Sequence, residues 1–166
     1  MFNKPFPLAV LLLIGFGLIR LIDHDSPERA QAMTAHGTKE KTMVTVPLDA
    51  GMEAVVTLDH KTGDMSGYVL NRLNAQFFIR YRHNITNEFP EHQGAYLMAT
   101  GMADFRGFNS NTRIASGVIY VSEENSGRVV AYALPWNTQF AASNAPRQDL
   151  AFIALDQAAT RFTQLR

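Results

Sequence analysis

From Thr42 to Leu155 the chain is written in short runs rich in Val, Ile, Tyr and Phe, each closed by Gly, Asn or Asp. Runs of this length with such punctuation are strands and turns, and no run is long enough for a typical helix. The spacing predicts strands at Thr42–Leu48, Glu53–Asp59, Met65–Asn71, Gln76–Arg82, Ala95–Met102, Ser116–Ser122, Arg128–Leu134 and Asp149–Leu155. About eight short strands at this interval predict an all-β domain, an antiparallel meander or sandwich. In Phe77–Arg82, alternation puts Phe77, Ile79 and Tyr81 on one face and Phe78, Arg80 and Arg82 on the other. Turns are expected at Lys61–Asp64, Leu73–Ala75 and Asn125–Gly127, two of which place a Gly where a hairpin needs positive φ.

Residues 55–70 and 119–134 echo each other at an offset of 64. Asp59 meets Glu123, Thr62 meets Ser126, Gly63 meets Gly127, Tyr68 meets Tyr132 and Leu70 meets Leu134. The shared content is a strand, a Gly-closed turn and a strand with an inward Tyr. With one strand before and one after each hairpin, the body divides into two blade-like four-strand units, roughly 42–82 and 95–155. The unit resembles a β-propeller blade, and the same pattern also suits two ordinary hairpins in one domain. Two blades do not close a propeller. A duplication would therefore imply a small sandwich or a subunit of a ring.

The amino terminus is of another kind. Lys4 precedes Pro5 to Ile22, a run of 18 residues broken by a single charge at Arg20. As a helix it would be about 27 Å long, close to the hydrocarbon thickness of a bilayer. Pro5, Leu8, Leu12, Phe16, Ile19 and Ile22 mark the expected membrane span, with Arg20 near its outer end reaching toward headgroups. A basic start and an apolar run also describe a signal peptide, and Ala30-Gln31-Ala32 is the best small-x-small cleavage triplet. A charged approach through Asp23, His24, Asp25, Glu28 and Arg29 favours retention. Lys4 before the span and Asp23 and Asp25 after it orient the amino terminus to the cytoplasm. The expected organisation is an anchor or signal segment over 1–22, a linker over 23–41 and an extracytoplasmic β domain over 42–166. The bilayer is then the first expected partner, and a soluble secreted domain is the alternative.

Composition excludes more than it selects. Fifteen basic and fifteen acidic side chains cancel in a chain of 166 residues, so there is no electrostatic footprint for nucleic acid. Setting Lys4 and Arg20 aside leaves thirteen basic against fifteen acidic residues, a domain with no strong net draw toward anionic lipid. The absence of Cys removes disulfides, thiolate metal sites and cysteine nucleophiles. Among His24, His36, His60, His83 and His92 no pair has ligand spacing on a helix or strand. Glu88, Glu91 and His92 could gather around a cation, yet exposed loop polars explain them as well. No metal and no cofactor is expected. There is no Gly-x-Ser-x-Gly elbow and no Gly-rich loop opening a helix. Asp59, Asp64, Glu123 and Glu124 lie at hairpin tips, where charge is ordinarily solvation.

The most unusual segment is Thr100–Arg113, a long connection holding Asp104, Phe105, Arg106, Phe108 and Arg113. Long structured loops on β scaffolds often carry binding. The two Phe side chains could equally fold back as a lid on the core. Trp136, the only Trp, follows a strand and suits either a core position or a binding anchor. Asp104, Phe105, Arg106, Phe108, Arg113 and Trp136 are therefore the candidate contact residues. The layout also resembles small signal-anchored proteins of planctomycete-type bacteria. The resemblance lies in Thr62-Gly63-Asp64 with Gly67-Tyr68-Val69-Leu70-Asn71, in Leu97–Gly107, and in Ile119–Ser122 with Ser126–Asn137. It implies an anchored location and no particular activity.

The expected function is thus an interaction or structural module with an unknown protein partner or self-association, and no catalysis. The alternatives are an oligomerising blade-like subunit that binds a small ligand such as a sugar, and an enzyme on a β scaffold.

Overall fold

A computed structural model describes residues 35–90, 95–105, 112–142 and 147–159. The expected span over 5–22 lies outside them. Among the described residues no helix is long and apolar enough to cross a membrane.

The described chain is all-β. Ten strands follow in order: β1 (Ala35–Gly37), β2 (Lys41–Leu48), β3 (Met52–Asp59), β4 (Asp64–Leu70), β5 (Phe77–Asn84), β6 (Tyr96–Met102), β7 (Ile114–Glu123), β8 (Arg128–Pro135), β9 (Gln148–Ala151) and β10 (Ile153–Ala159). They form two sheets, one of six strands in the order β1-β2-β3-β4-β5-β9 and one of four in the order β10-β8-β7-β6. Short 3₁₀ turns at Asp49–Gly51, Ile85–Asn87 and Thr138–Ala142 join or follow strands.

The sheets share one apolar core. Alternation along β3 buries Met52, Ala54, Val56 and Leu58, and β2 adds Val44, Val46 and Leu48. From the second sheet come Met98, Ile119, Val121, Val130, Tyr132 and Leu134. A close approach between the sheets is at Gly117 of β7. A Cβ placed there would stand 2.1 Å from the Pro47 carbonyl oxygen and 2.6 Å from Val46 Cγ1 on β2. Only a residue without a side chain lets these two backbones meet.

Several expectations change. The predicted strand Asp149–Leu155 divides at Phe152 and serves both sheets. β9 pairs with β5, while β10 pairs with β8. The β5–β9 pair is parallel, so the fold is not purely antiparallel. Because β1 and β9 both join β2–β5, the sheets have six and four strands and are not two equal four-strand units. Phe152 is buried at the crossing, 5.4 Å from the Tyr81 ring, and fills the space left by Gly67. β1 also lies within the predicted linker over 23–41, where its pairing with β2 supplies order that its exposed side chains do not.

The face expected to be shared by Phe77, Ile79 and Tyr81 is shared by Ile79 and Tyr81, which are buried, but not by Phe77, which is exposed. Val69 pairs with Ile79 but Leu70 pairs with Phe77, so Phe78 is an extra residue in the ladder. That bulge resets the alternation, burying Phe78 and exposing Phe77.

The echoed hairpins share their turns bond for bond. Gly63 N–H donates to the Asp59 carbonyl and Gly127 N–H to that of Glu123. Asp59 Oδ1 accepts from Lys61 and Thr62 N–H, as the Glu123 carboxylate does from Asn125 and Ser126. Both glycines have positive φ, +73° and +64°. Yet opposite faces are buried. Tyr132 and Leu134 point into the core, whereas Tyr68 is half-buried on the outer face and Leu70 is exposed. The expected inward Tyr at position 68 is therefore corrected.

Candidate functional site

A cleft of about 550 Å³ opens at one end of the domain. Two ladder ends and a bulge build it. Ala103 N–H donates to the Ser116 carbonyl at 2.8 Å, extending the β6–β7 pairing past Met102. Trp136 N–H donates to the Arg113 carbonyl at 2.9 Å, extending β7–β8 past Pro135. Between these points β7 is irregular: Ile114 pairs with Pro135 and Val118 with Ala133, so three residues face Leu134 alone. The surplus bends the strand, and Ala115 and Ser116 of this bulge line the cleft.

Four of the six candidate residues line this one cleft: Asp104, Phe105, Arg113 and Trp136. Arg106 and Phe108 lie outside the described residues. Asp104 and Arg113 are exposed, Phe105 is half-buried, and Trp136 is buried at 2% exposure. Trp136 belongs to the core and packs edge-on against Phe140 at 6.0 Å. Trp136 thus occupies a core position and also borders the cleft. Its indole N–H is buried without a hydrogen-bond partner among the described residues.

Sequence reasoning missed Asp49, Met102, Ser116 and Thr138 in this lining. Asp49 and Thr138 arrive on the 3₁₀ turns at Asp49–Gly51 and Thr138–Ala142, far apart in the chain. Ser116 arrives through the bulge. None of these residues has a local signal that could have marked it. The resulting cleft has apolar walls from Met102, Phe105, Ile114 and Trp136. Carboxylates of Asp49 and Asp104 and the guanidinium of Arg113 also line it. Such a mixture can seat an apolar group while orienting charged ones. The hydroxyls of Thr112, Ser116 and Thr138 also line the cleft.

The opposite end of the core is polar. His83 Nε2 lies 3.1 Å from Glu88 Oε1, and the His83 ring lies 5.4 Å from that of Tyr132. Arg128 Nη1 donates to the Glu88 carbonyl at 2.6 Å. Thr42 Oγ1 and His60 Nε2 are 2.8 Å apart, and the His60 ring meets Tyr96 edge-on at 5.7 Å. Burial pushes the Tyr96 phenol up to about 12, aided by the Glu123 carboxylate, and burial raises Tyr81 and Tyr132 further. Glu91 and His92, considered with Glu88 as a cation cluster, lie outside the described residues. Among those described, no three metal-ligating side chains gather.

No family model matches this chain, and comparison with curated proteins and with solved structures gives no significant similarity.

Proposed function

We propose that this chain is a binding module, anchored at the membrane by residues 5–22, whose cleft receives a segment of a partner protein outside the cytoplasm. The observation that carries the reading is convergence. Asp104, Phe105 and Arg113 of the Thr100–Arg113 connection and Trp136 after β8 line one concavity of about 550 Å³. That volume suits a few side chains of a partner. Apolar walls with charges of both signs match the anatomy of an interaction site, with an apolar centre and a polar rim.

The test is site-specific photo-crosslinking of the full-length chain in its native membrane. The photoreactive residue is placed at Phe105, at Thr138 or, as control, at Ser66 on the outer face of the first sheet. The expected result is one discrete protein adduct from Phe105 and Thr138 and none from Ser66. Arg113→Glu should reduce it about tenfold, the effect of roughly 1.4 kcal/mol at a charge-complementary contact. Equal adducts from all three positions, or none, would overturn the assignment. An adduct with a second copy of the chain would replace it with self-association.

A further inference from the structure

The loop between β4 and β5 holds apolar side chains out into solvent by construction. Leu70 is 47% exposed, Leu73 60% and Phe77 53%. Ordinary loops of this length turn such residues inward or lack them. Here the backbone fixes them outward. Asn71 is buried, and its Oδ1 accepts from Leu73 N–H at 2.7 Å. Its carbonyl accepts from Ala75 N–H and its own N–H donates to the Gln76 carbonyl, both at 2.8 Å. Ala75 closes the loop at φ 55°, a left-handed conformation that costs energy for a residue with a Cβ. The Phe78 bulge then swings Phe77 out beside them, against the Tyr68 ring at 5.7 Å.

Charge adds a second observation. Between Asp64 and Glu88 the chain holds no acidic residue, while Arg72, Arg80 and Arg82 are basic. Arg80 is paired with Asp149 through hydrogen bonds of 2.6 and 2.9 Å. Arg72 stands exposed in the loop between the two leucines. The domain is nearly neutral as a whole, yet this hairpin is locally basic.

Topology supplies the third. β2 and β4 run in the same direction, each antiparallel to β3. Leu70 therefore lies at the same end of the sheet as Leu48. β1 is antiparallel to β2, with Ala35 opposite Val44 and Gly37 opposite Thr42. Ala35, the first described residue, therefore lies nearer that end of the sheet than Gly37 does.

We propose that this loop is a bilayer contact. Leu70, Leu73 and Phe77 enter the boundary between headgroups and acyl chains, and Arg72 reaches lipid phosphates. The proposal rests on the anchored reading of residues 5–22. Three side chains would bind a free bilayer weakly, but a tether holds them at high local concentration, so a weak contact is occupied. Long basic side chains suit such a boundary because the stem is apolar and the head is charged.

The absence of Cys makes the test clean. Full-length Leu73→Cys and Lys61→Cys, the latter at the opposite end of the same sheet, each carry one nitroxide. Both are reconstituted into vesicles of phosphatidylethanolamine and phosphatidylglycerol. Unchanged Trp136 emission verifies the fold. The expected result is several-fold lower access of an aqueous nickel chelate, and higher access of oxygen, at position 73 than at 61. Equal aqueous access at both positions, in protein that resists alkaline carbonate, would overturn the bilayer contact and leave the anchor standing. Release of the chain by carbonate would overturn the anchor. The released protein, mixed with the same vesicles, would then support the contact if position 73 remains protected and overturn it if not.

Discussion

Gly117→Ala should be the most damaging single-methyl addition among the glycines whose surroundings are described. The added Cβ would sit 2.1 Å from the Pro47 carbonyl oxygen, 3.2 Å from its carbonyl carbon and 2.6 Å from Val46 Cγ1. Non-bonded heavy atoms rest at about 3.5 Å, so Pro47 must retreat by more than about 1 Å. A side chain could rotate away, but a strand carbonyl cannot. Pro47 is paired with Glu53 in the interior of the six-stranded sheet, and Gly117 is paired with Met102 in the interior of the four-stranded one. Relief therefore requires parting the sheets at this contact or straightening the β7 bulge. Overpacking commonly costs about 1–3 kcal/mol, and a backbone obstacle places this case at or above about 3 kcal/mol. For a domain of this size that is a fall in melting temperature of about 10–15 °C.

The assay is denaturant unfolding of the full-length chain in detergent micelles, followed through the emission of Trp136, the only Trp, which is buried. Gly51→Ala is the internal control. That residue has φ +68° but nothing within 4 Å of the added atom, so it carries conformational strain of about 1 kcal/mol without steric overlap. A Gly117→Ala midpoint within about 1 kcal/mol of wild type would refute the close approach. So would a loss no larger than that of Gly51→Ala. Because Ala115 and Ser116 line the cleft from the same bulge, surviving folded protein should also lose the Phe105 crosslink.

Two further outcomes follow from polar groups. The Tyr132 hydroxyl is buried without a hydrogen-bond partner among the described residues, so Tyr132→Phe should raise stability by about 1 kcal/mol in chemical denaturation; a loss of that size would mean that the hydroxyl is satisfied. The Arg80 hydrogen bonds hold the Asp149 carboxyl below its usual range, and Thr62 N–H does the same for Asp59. A depressed folded-state pKa contributes stability that is present above the unfolded value and lost as pH falls through the folded one. Asp149→Asn should therefore flatten the loss of stability below about pH 4, by a small amount because the pair is exposed. An unchanged acid limb would separate this pair from acid unfolding.

The strands were legible because alternation and turn residues are local signals. The predicted segment 42–48 becomes Lys41–Leu48, and 53–59 becomes Met52–Asp59. The turns at Gly63 and Gly127 were legible because positive φ selects Gly there. What was not legible depended on partners distant in the chain. β1 has three exposed side chains and exists through its pairing with β2. The break at Phe152 is set by the pocket beside Gly67 and Tyr81. The bulge at Phe78 inverts one residue of an otherwise correct alternation. The cleft divides in the same way. Asp104, Phe105 and Arg113 were marked by an unusual loop and Trp136 by its rarity. Asp49, Ser116 and Thr138 become neighbours only when two 3₁₀ turns and a bulge meet.

The echoed hairpins show which level of structure decides what. Their turns are equivalent in every bond described above, and their registers match: Val55 pairs with Tyr68 as Ile119 pairs with Tyr132. Local sequence therefore fixes the turn and the register. It does not fix which face is buried, because either face of a hairpin can meet a second sheet. In the first hairpin the apolar set Val56, Leu58, Met65 and Val69 faces the core. In the second that set is Ile119, Val121, Val130 and Tyr132, one residue out of phase. The matched acids differ accordingly. Asp59 is partly exposed beside Lys41, whereas Glu123 is 2% exposed. A buried carboxylate is tolerated because Asn125 and Ser126 N–H groups bind it. The turn bonds that merely shape one hairpin are thus a condition for burying the other, and the resemblance of the two stretches does not make their sheets equivalent.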